Sequence, residues 1–377
     1  MKTIKGFFKI TGAVVLALLA VVTIAGLLFM NLSPQFGGSP SSDKILSYSR
    51  SNQYQEGIFV NTIPTAMDMG ISATVKIAYK FFFNRAKMVE PSQRLPVEKI
   101  DPTRLAVQGK ELTRITWLGH SACLLELNGK RILFDPMLGP SPSPHPLLGP
   151  KRFSSLPITI EELPHIDAVV ISHDHYDHLD YESIVKLKNK TTHFYAPLGV
   201  GAHLEAWGIA PTDITELDWW EESTVDGFTF ACAPARHFSG RGLFDRFATL
   251  WASWVVKTGS TSIYFSGDGG YGPHFREIGQ RLGPFDFVML ECGQYNELWK
   301  EIHMMPEETV QAAIDLKGKA MMPIHWGSFA LAMHPWMDPI NRVTAAADNR
   351  AVPIATPLIG EPIVLNSGEL PGRKWWK

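Results

Sequence analysis

The chain has 377 residues, 45% of them hydrophobic and 19% charged, which is ample for a large core and excludes disorder throughout. Thirty-five Lys and Arg stand against 37 Asp and Glu, a net charge of −2, so there is no broad basic field for non-specific nucleic-acid binding. Cys123, Cys232 and Cys292 lie far apart and make neither a disulfide framework nor a CxxC knuckle.

Residues 10–30 carry no charge, and about 20 apolar residues in a helix span a bilayer core. Lys2, Lys5 and Lys9 precede the run, and the next basic residue is Lys44. The positive-inside rule then predicts a single-pass inner (plasma) membrane anchor, with the rest of the chain facing the periplasm or exterior. A cleaved signal peptide competes, but its apolar core is shorter and is followed by small residues. Leu27-Leu28-Phe29-Met30 is a poor cleavage site. Residues 31–111 read as a linker and N-terminal extension, 31–42 being rich in Ser, Pro and Gly. A helix is expected over 66–88, with Lys76, Lys80, Arg85 and Lys87 on a basic side. It would lie on a membrane surface or pack on the main domain.

From residue 112 the pattern becomes one of short strands. They are expected at 112–118, 122–127 and 131–134, the last after the hairpin signal Asn128-Gly129. A proline-rich loop fills 140–150. Further strands are predicted at 168–172, 228–233, 251–257, 262–265, 287–290 and 320–324. Helical patterns occupy 181–188, 199–207, 273–282, 306–317 and 339–349, with Pro273 and Pro306 suited to first turns. This interleaving fits an α/β fold of two sheets with helices outside.

The chemistry begins after the strand at 168–172, with His173-Asp-His175-Tyr-Asp177-His178. Imidazole and carboxylate are ligands for zinc and similar divalent ions. One metal cannot comfortably use all four donors, so the spacing suggests two metals side by side. His237, Asp268 and His325 each follow a predicted strand, which places them on one edge of the sheets.

His173-x-His175-x-Asp177-His178 with His237, Asp268 and His325 resembles the ligand pattern of the metallo-β-lactamase superfamily. Thr116-Trp-Leu-Gly119-His120-Ser121 and Leu133-Phe-Asp135-Pro136 resemble its first hairpin. Within it, the chain is most similar to the N-acyl-phosphatidylethanolamine-hydrolysing phospholipase D family. Asp218-Trp-Trp-Glu221, Gly267-Asp268-Gly-Gly-Tyr271-Gly-Pro-His274-Phe275, Cys292-Gly-Gln-Tyr-Asn296, the stretch around His303-Met-Met-Pro306-Glu and Pro323-Ile-His325-Trp-Gly327 carry that likeness. The resemblance implies an αββα sandwich over residues 112–368, with 1–30 as the anchor and 369–377 as a tail. It also implies that His173, His175 and His237 bind one zinc, that Asp177, His178 and His325 bind a second, and that Asp268 bridges them. A hydroxide shared by the metals would attack phosphorus. Asp177 would orient it, and His303 would contact phosphate or protonate the leaving alkoxide. His120 reads as a support for the first hairpin or the ligands, and His274, His334 and Trp326 as pocket or packing residues.

The implied reaction is phospholipase D hydrolysis of N-acyl-phosphatidylethanolamine or a related phospholipid by a membrane-anchored zinc enzyme. A lactonase or thioesterase on the same metal pair is the alternative. The expected partners are a phospholipid and the membrane, not nucleic acid, with a homodimer left open. Two other patterns carry less. Gly267-Asp-Gly269-Gly-Tyr-Gly272 matches GxGxxG, but no βαβ unit opens around it. Trp219-Trp220 and Trp375-Trp376 suit either a membrane interface or packing.

Overall fold

The computed structural model describes residues 2–66, 75, 79, 86–106, 112–145, 147 and 149–377. The helix expected over 66–88 lies largely outside the described residues. Helix α1 (Lys2–Leu32) contains the apolar run Ile10–Leu32, of mean hydropathy 2.8 and unburied by the rest of the chain. Its length and composition suit a bilayer crossing. After α2 (Ser42–Tyr48), a small hairpin pairs β1 (Tyr54–Gln55) with β2 (Ile58–Phe59). The short α3 (Pro102–Ala106) precedes the main fold.

Seven strands form the first sheet: β3 (Thr113–Gly119), β4 (Ala122–Leu127), β5 (Lys130–Phe134), β6 (Ile166–Val170), β7 (Thr191–Pro197), β8 (Ile214–Leu217) and β15 (Pro362–Val364). Their order is β15-β3-β4-β5-β6-β7-β8. The second sheet has six: β9 (Glu222–Val225), β10 (Phe228–Ala233), β11 (Ser253–Lys257), β12 (Ser262–Phe265), β13 (Phe287–Glu291) and β14 (Met321–Ile324), in the order β14-β13-β12-β11-β10-β9. Helices α4 (Tyr181–Leu187) and α5 (Gly201–Ala206) pack outside the first sheet. Helices α6 (His274–Arg281), α7 (Pro306–Asp315) and α8 (Asp338–Asn349) belong with the second.

Strand periodicity builds these layers, because successive side chains face opposite ways. On β5, Ile132 and Phe134 turn toward the second sheet, whereas Leu133 joins Ile184, Leu187 and Leu204 on the helical side. Between the sheets, Phe134 stacks on Phe265 with ring centroids 4.8 Å apart, and Tyr195 on Phe230 at 4.0 Å. Both faces of these central strands are buried, so they read as continuous apolar runs. The strands that the sequence pattern leaves unpredicted are more polar or, like Pro362–Val364, very short. β8, β9 and β15 are edges, and β7 opens on Thr191-Thr-His193.

Strand direction then gathers the site. β12, β13 and β14 are parallel, and β10 runs with β12 because each is antiparallel to β11. In the first sheet β3, β5 and β6 share one direction for the same reason. The C-terminal ends of all these strands therefore meet at one edge.

Two segments differ from expectation. Residues 31–42 are not a free linker. Trp207 Nε1 donates to Pro34 O at 2.7 Å, Arg241 donates to Gln35 O at 2.9 and 2.6 Å, and Lys44 pairs with Glu205 and Glu216. Local composition suggested a linker, but its carbonyls are acceptors that the domain's donors capture. The C-terminal tail is also part of the core. Trp375 stacks on Trp326 at 5.4 Å, and the buried Trp376 donates from Nε1 to Asn341 Oδ1 at 2.9 Å. Trp219 is likewise buried and donates to Trp251 O. Trp376→Ala should therefore cost on the order of 3 kcal/mol, read as a lower denaturation midpoint in detergent. An unchanged midpoint would mean that Trp376 does not serve packing.

Candidate metal centre

Each predicted donor leaves a strand end at the shared edge. His173 follows β6, His237 follows β10, Asp268 follows β12 and His325 follows β14. The turn after β6 adds His175, Asp177 and His178. All seven come together, within groups whose donor atoms lie inside 4.8 Å of one another.

His173 Nε2 lies 2.9 Å from His175 Nδ1, which lies 3.2 Å from His237 Nε2. Two nitrogens that each sit ~2.0–2.1 Å from one ion are separated by roughly 3 Å, so this spacing is that of ligands around a common centre. A second group gathers on Asp177. Its Oδ2 is 3.1 Å from His325 Nε2, 3.6 Å from His178 Nε2 and 2.9 Å from His120 Nε2. Asp268 touches both groups. Its Oδ2 lies 3.1 Å from His178 Nε2 and 4.0 Å from His173 Nε2, and its Oδ1 lies 3.2 Å from His325 Nδ1. His178 Nε2 and Asp268 Oδ1 are buried and make no hydrogen bond. Such orphaned polar atoms are costly unless something further binds them. The donor set and these orphans fit metal ions.

Outer contacts aim the donors. Asp135, fully buried just past β5, accepts from the Ser172 amide at 2.7 Å and from Ser172 Oγ at 2.6 Å, and lies 2.7 Å from His178 Nδ1. The carboxylate thus fixes one ring nitrogen of His178 and leaves the other for the centre. His237 Nδ1 faces Ile302 O at 2.9 Å, and Asn61 brackets the same residue through both backbone groups, accepting from His237 N and donating to His237 O. The last residue of β13, Glu291, accepts from Met304 N at 2.7 Å and faces His303 Nδ1 at 2.9 Å and His325 Nδ1 at 3.2 Å. The backbone bends sharply here: His120, Asp135 and His325 have φ of 54°, 37° and 65°, strain that the surrounding contacts hold in place.

Burial holds His173 and His237 well below the ordinary imidazole value, so both are neutral and ready to ligate. Burial also opposes charge on His178, but Asp268, Asp177 and Asp135 together hold it well above that value. His325 feels the same opposition and is raised to about 9 by Asp268, Asp177 and Glu291.

Sequence reading did not single out Asp135, Glu291, Ser172 or Asn61 as site residues. Asp135 was visible in the Leu133-Phe-Asp-Pro136 motif and Glu291 as an acid closing an apolar strand; Asn61 carried no signal. His120 lies inside the Asp177 group, closer than a hairpin support need be. His334 stacks on Tyr295, Trp326 stacks on Trp117, and His274 packs on Phe275; none joins a ligand group among the described residues.

The family model described as "Beta-lactamase superfamily domain" matches residues 130–326. The chain belongs to the metallo-β-lactamase superfamily. It is 41% identical over 350 residues to an uncharacterized protein of Mycobacterium tuberculosis, covering 90% of this chain and 91% of that one. It is 34% identical over 248 residues to the Caenorhabditis elegans protein named N-acyl-phosphatidylethanolamine-hydrolyzing phospholipase D 1, covering 62% of this chain and 70% of that one. A solved metallo hydrolase from the archaeon Ignicoccus hospitalis superposes with a TM-score of 0.51 at 20% identity, covering 67% of this chain and 98% of that one. That likeness concerns the fold. The superfamily supports a metal-dependent hydrolase here.

Two outcomes test the centre. Asp135→Asn would present an amide donor to His178 Nδ1 and turn the imidazole to the wrong tautomer, so metal affinity should fall roughly 10–100-fold with the fold retained. Metal competition with a fluorescent chelator reads this, and unchanged affinity would remove Asp135 from the centre. Metal must also displace protons that His178 and His325 hold at pH 7. Apparent affinity should rise as pH approaches 9, with proton release visible by calorimetry in two buffers of different ionisation enthalpy. Affinity independent of pH would contradict the assignment.

Proposed function

We propose that this chain is a membrane-anchored dinuclear zinc hydrolase that cleaves N-acyl-phosphatidylethanolamine, or a related phospholipid, in the phospholipase D manner. The observation that carries the reading is the setting of the donor set. Four of the donors, His175, Asp177, Asp268 and His325, line an open cleft of about 360 Å³ whose walls include Phe238, Trp299, Ile302 and Leu331. A polar reacting centre beneath apolar walls suits a lipid headgroup with its chains. The name of the C. elegans relative supplies the bond.

In this reading His173, His175 and His237 would hold one zinc and Asp177, His178 and His325 the other, with Asp268 a donor common to both. Bound there, the ions would supply a water of lowered pKa and neutralise charge on the phosphoryl oxygens. The chain's own residues do the rest. Asp177, exposed in part on the cleft floor, accepts a hydrogen bond from the attacking water and orients it. Water oxygen adds to phosphorus as the bond to the N-acylethanolamine oxygen breaks. His303, with Nδ1 held by Glu291, is left with Nε2 for the cleft. From Nε2 it donates a proton to the leaving alkoxide, while the attacking water releases one of its own to solvent. The products are a phosphatidic acid and an N-acylethanolamine. Anchoring by α1 in the inner membrane, with the domain on the periplasmic or outer side, keeps the cleft beside its substrate.

Zinc-loaded protein incubated with mixed phospholipid vesicles should release both products, identified by mass spectrometry. His175→Ala and Asp268→Asn should lose bound metal and activity together. Intact lipids with zinc still bound would overturn the phospholipase D reading and turn attention to lactones or thioesters.

A further inference from the structure

Outside α1, the four most exposed large apolar side chains among the described residues are Phe244 at 83%, Leu147 at 79%, Leu243 at 75% and Leu46 at 71%. Scattered singly, such residues need no explanation. Each of these four is a near chain neighbour of a residue that meets α1, the strap after it, or the helix the strap packs on. Phe29, in the last turns of α1, packs against Phe36 at 5.5 Å and against His145 at 6.3 Å, two residues from Leu147. Phe36 meets Tyr176 at 6.3 Å, inside the metal-binding turn. Arg241 lies over the Tyr176 ring at 4.1 Å and donates to Gln35 O, Leu179 O and Asp174 O. Leu243 and Phe244 follow it directly. Leu46 sits on α2, which Lys44 ties to Glu205 and Glu216. The exposed tips thus belong to the segments that α1 and the strap after it touch. The same loop continues to Arg246 on the wall of the metal cleft.

We propose that Leu46, Leu147, Leu243 and Phe244 form a lipid-docking surface that inserts into the bilayer interface around the exit of α1 and turns the cleft mouth toward the lipid. The proposal rests on the anchored reading of α1. A bilayer is the occupant because the surface adjoins α1, whose apolar run of 23 residues suits crossing one. A tethered domain would otherwise be free to rotate. The pinned strap 33–38 and these tips give it one orientation, so substrate enters the cleft from the membrane. Apolar side chains at such positions sit ~5–10 Å into the headgroup and acyl boundary.

The native cysteines are all buried, so a single introduced cysteine can be labelled selectively. Full-length Phe244→Cys, Leu147→Cys, Leu19→Cys and Lys319→Cys would each carry an environment-sensitive fluorophore. Each would be reconstituted in phosphatidylethanolamine–phosphatidylglycerol vesicles containing a nitroxide at acyl carbon 5. Lys319 precedes β14, at the sheet end away from His325, and is exposed. Labels at 244 and 147 should lose roughly half or more of their fluorescence to the shallow nitroxide and resist aqueous iodide, whereas 319 should do the reverse. A label at 19 shielded from iodide with 244 open to it would overturn the docking surface while leaving the anchor. Shielding of 244 from iodide without nitroxide quenching would mean that protein, such as a second copy, covers the patch, and would overturn it too. A label at 19 open to iodide would remove the anchor, and this proposal with it.

Discussion

Six imidazoles and three carboxylates crowd into one buried edge of the sandwich: His120, His173, His175, His178, His237 and His325 with Asp177, Asp268 and Glu291. Burying charge is unfavourable unless it is paired, and burying unpartnered donors or acceptors is nearly as costly. The protein answers with a division of labour. Asp177 and Asp268 stay ionised because protonated His178 and His325 face them, despite burial. His173 and His237 stay neutral. Divalent ions would replace the two imidazolium protons as counter-charge and satisfy the orphaned His178 Nε2 and Asp268 Oδ1.

Much of the surrounding architecture serves that cluster. Parallel and twice-antiparallel strands bring their C-terminal ends to one edge, so donors far apart in sequence meet. Asp135 and Glu291 then fix the rings from behind, one from each sheet. Left-handed backbone at His120, Asp135 and His325 would be unfavourable in isolation. It persists because His325 N donates to His120 O at 3.0 Å and Ser328 Oγ accepts from His120 N, tying the two sheets across the site.

The link between α1 and the histidine-rich turn is equally physical. Arg241 is buried, and its guanidinium spends its donors on carbonyls of the strap and of the turn that carries His173 to His178. A planar fork of donors suits several fixed acceptors at once, which a lysine would not reproduce. Helix α1, the strap and the histidine-rich turn are therefore one connected structure.

The donor set was legible in the sequence because its chemistry is local. His173-x-His175-x-Asp177-His178 is dense in one turn, and His237, Asp268 and His325 each stand just beyond an apolar run. The central strands were legible because burial on both faces leaves continuous Val, Ile and Leu. The anchor candidate was legible because a bilayer demands uncharged length. Edge strands β8 and β9 were not, since a half-solvated strand looks polar, and the three residues of β15 are too few to show a pattern. Neither was the role of Glu291, whose neighbours His303 and His325 are 12 and 34 residues away. Asn61 and His237 are 176 apart, and the strap reads as a linker until Trp207 and Arg241 reach it. By itself, then, the sequence determined which residue types can hold metal and which segments must leave water. Only the tertiary structure decided which carboxylate orients which ring and how α1 joins the site. Those depend on distances between atoms that no local pattern encodes.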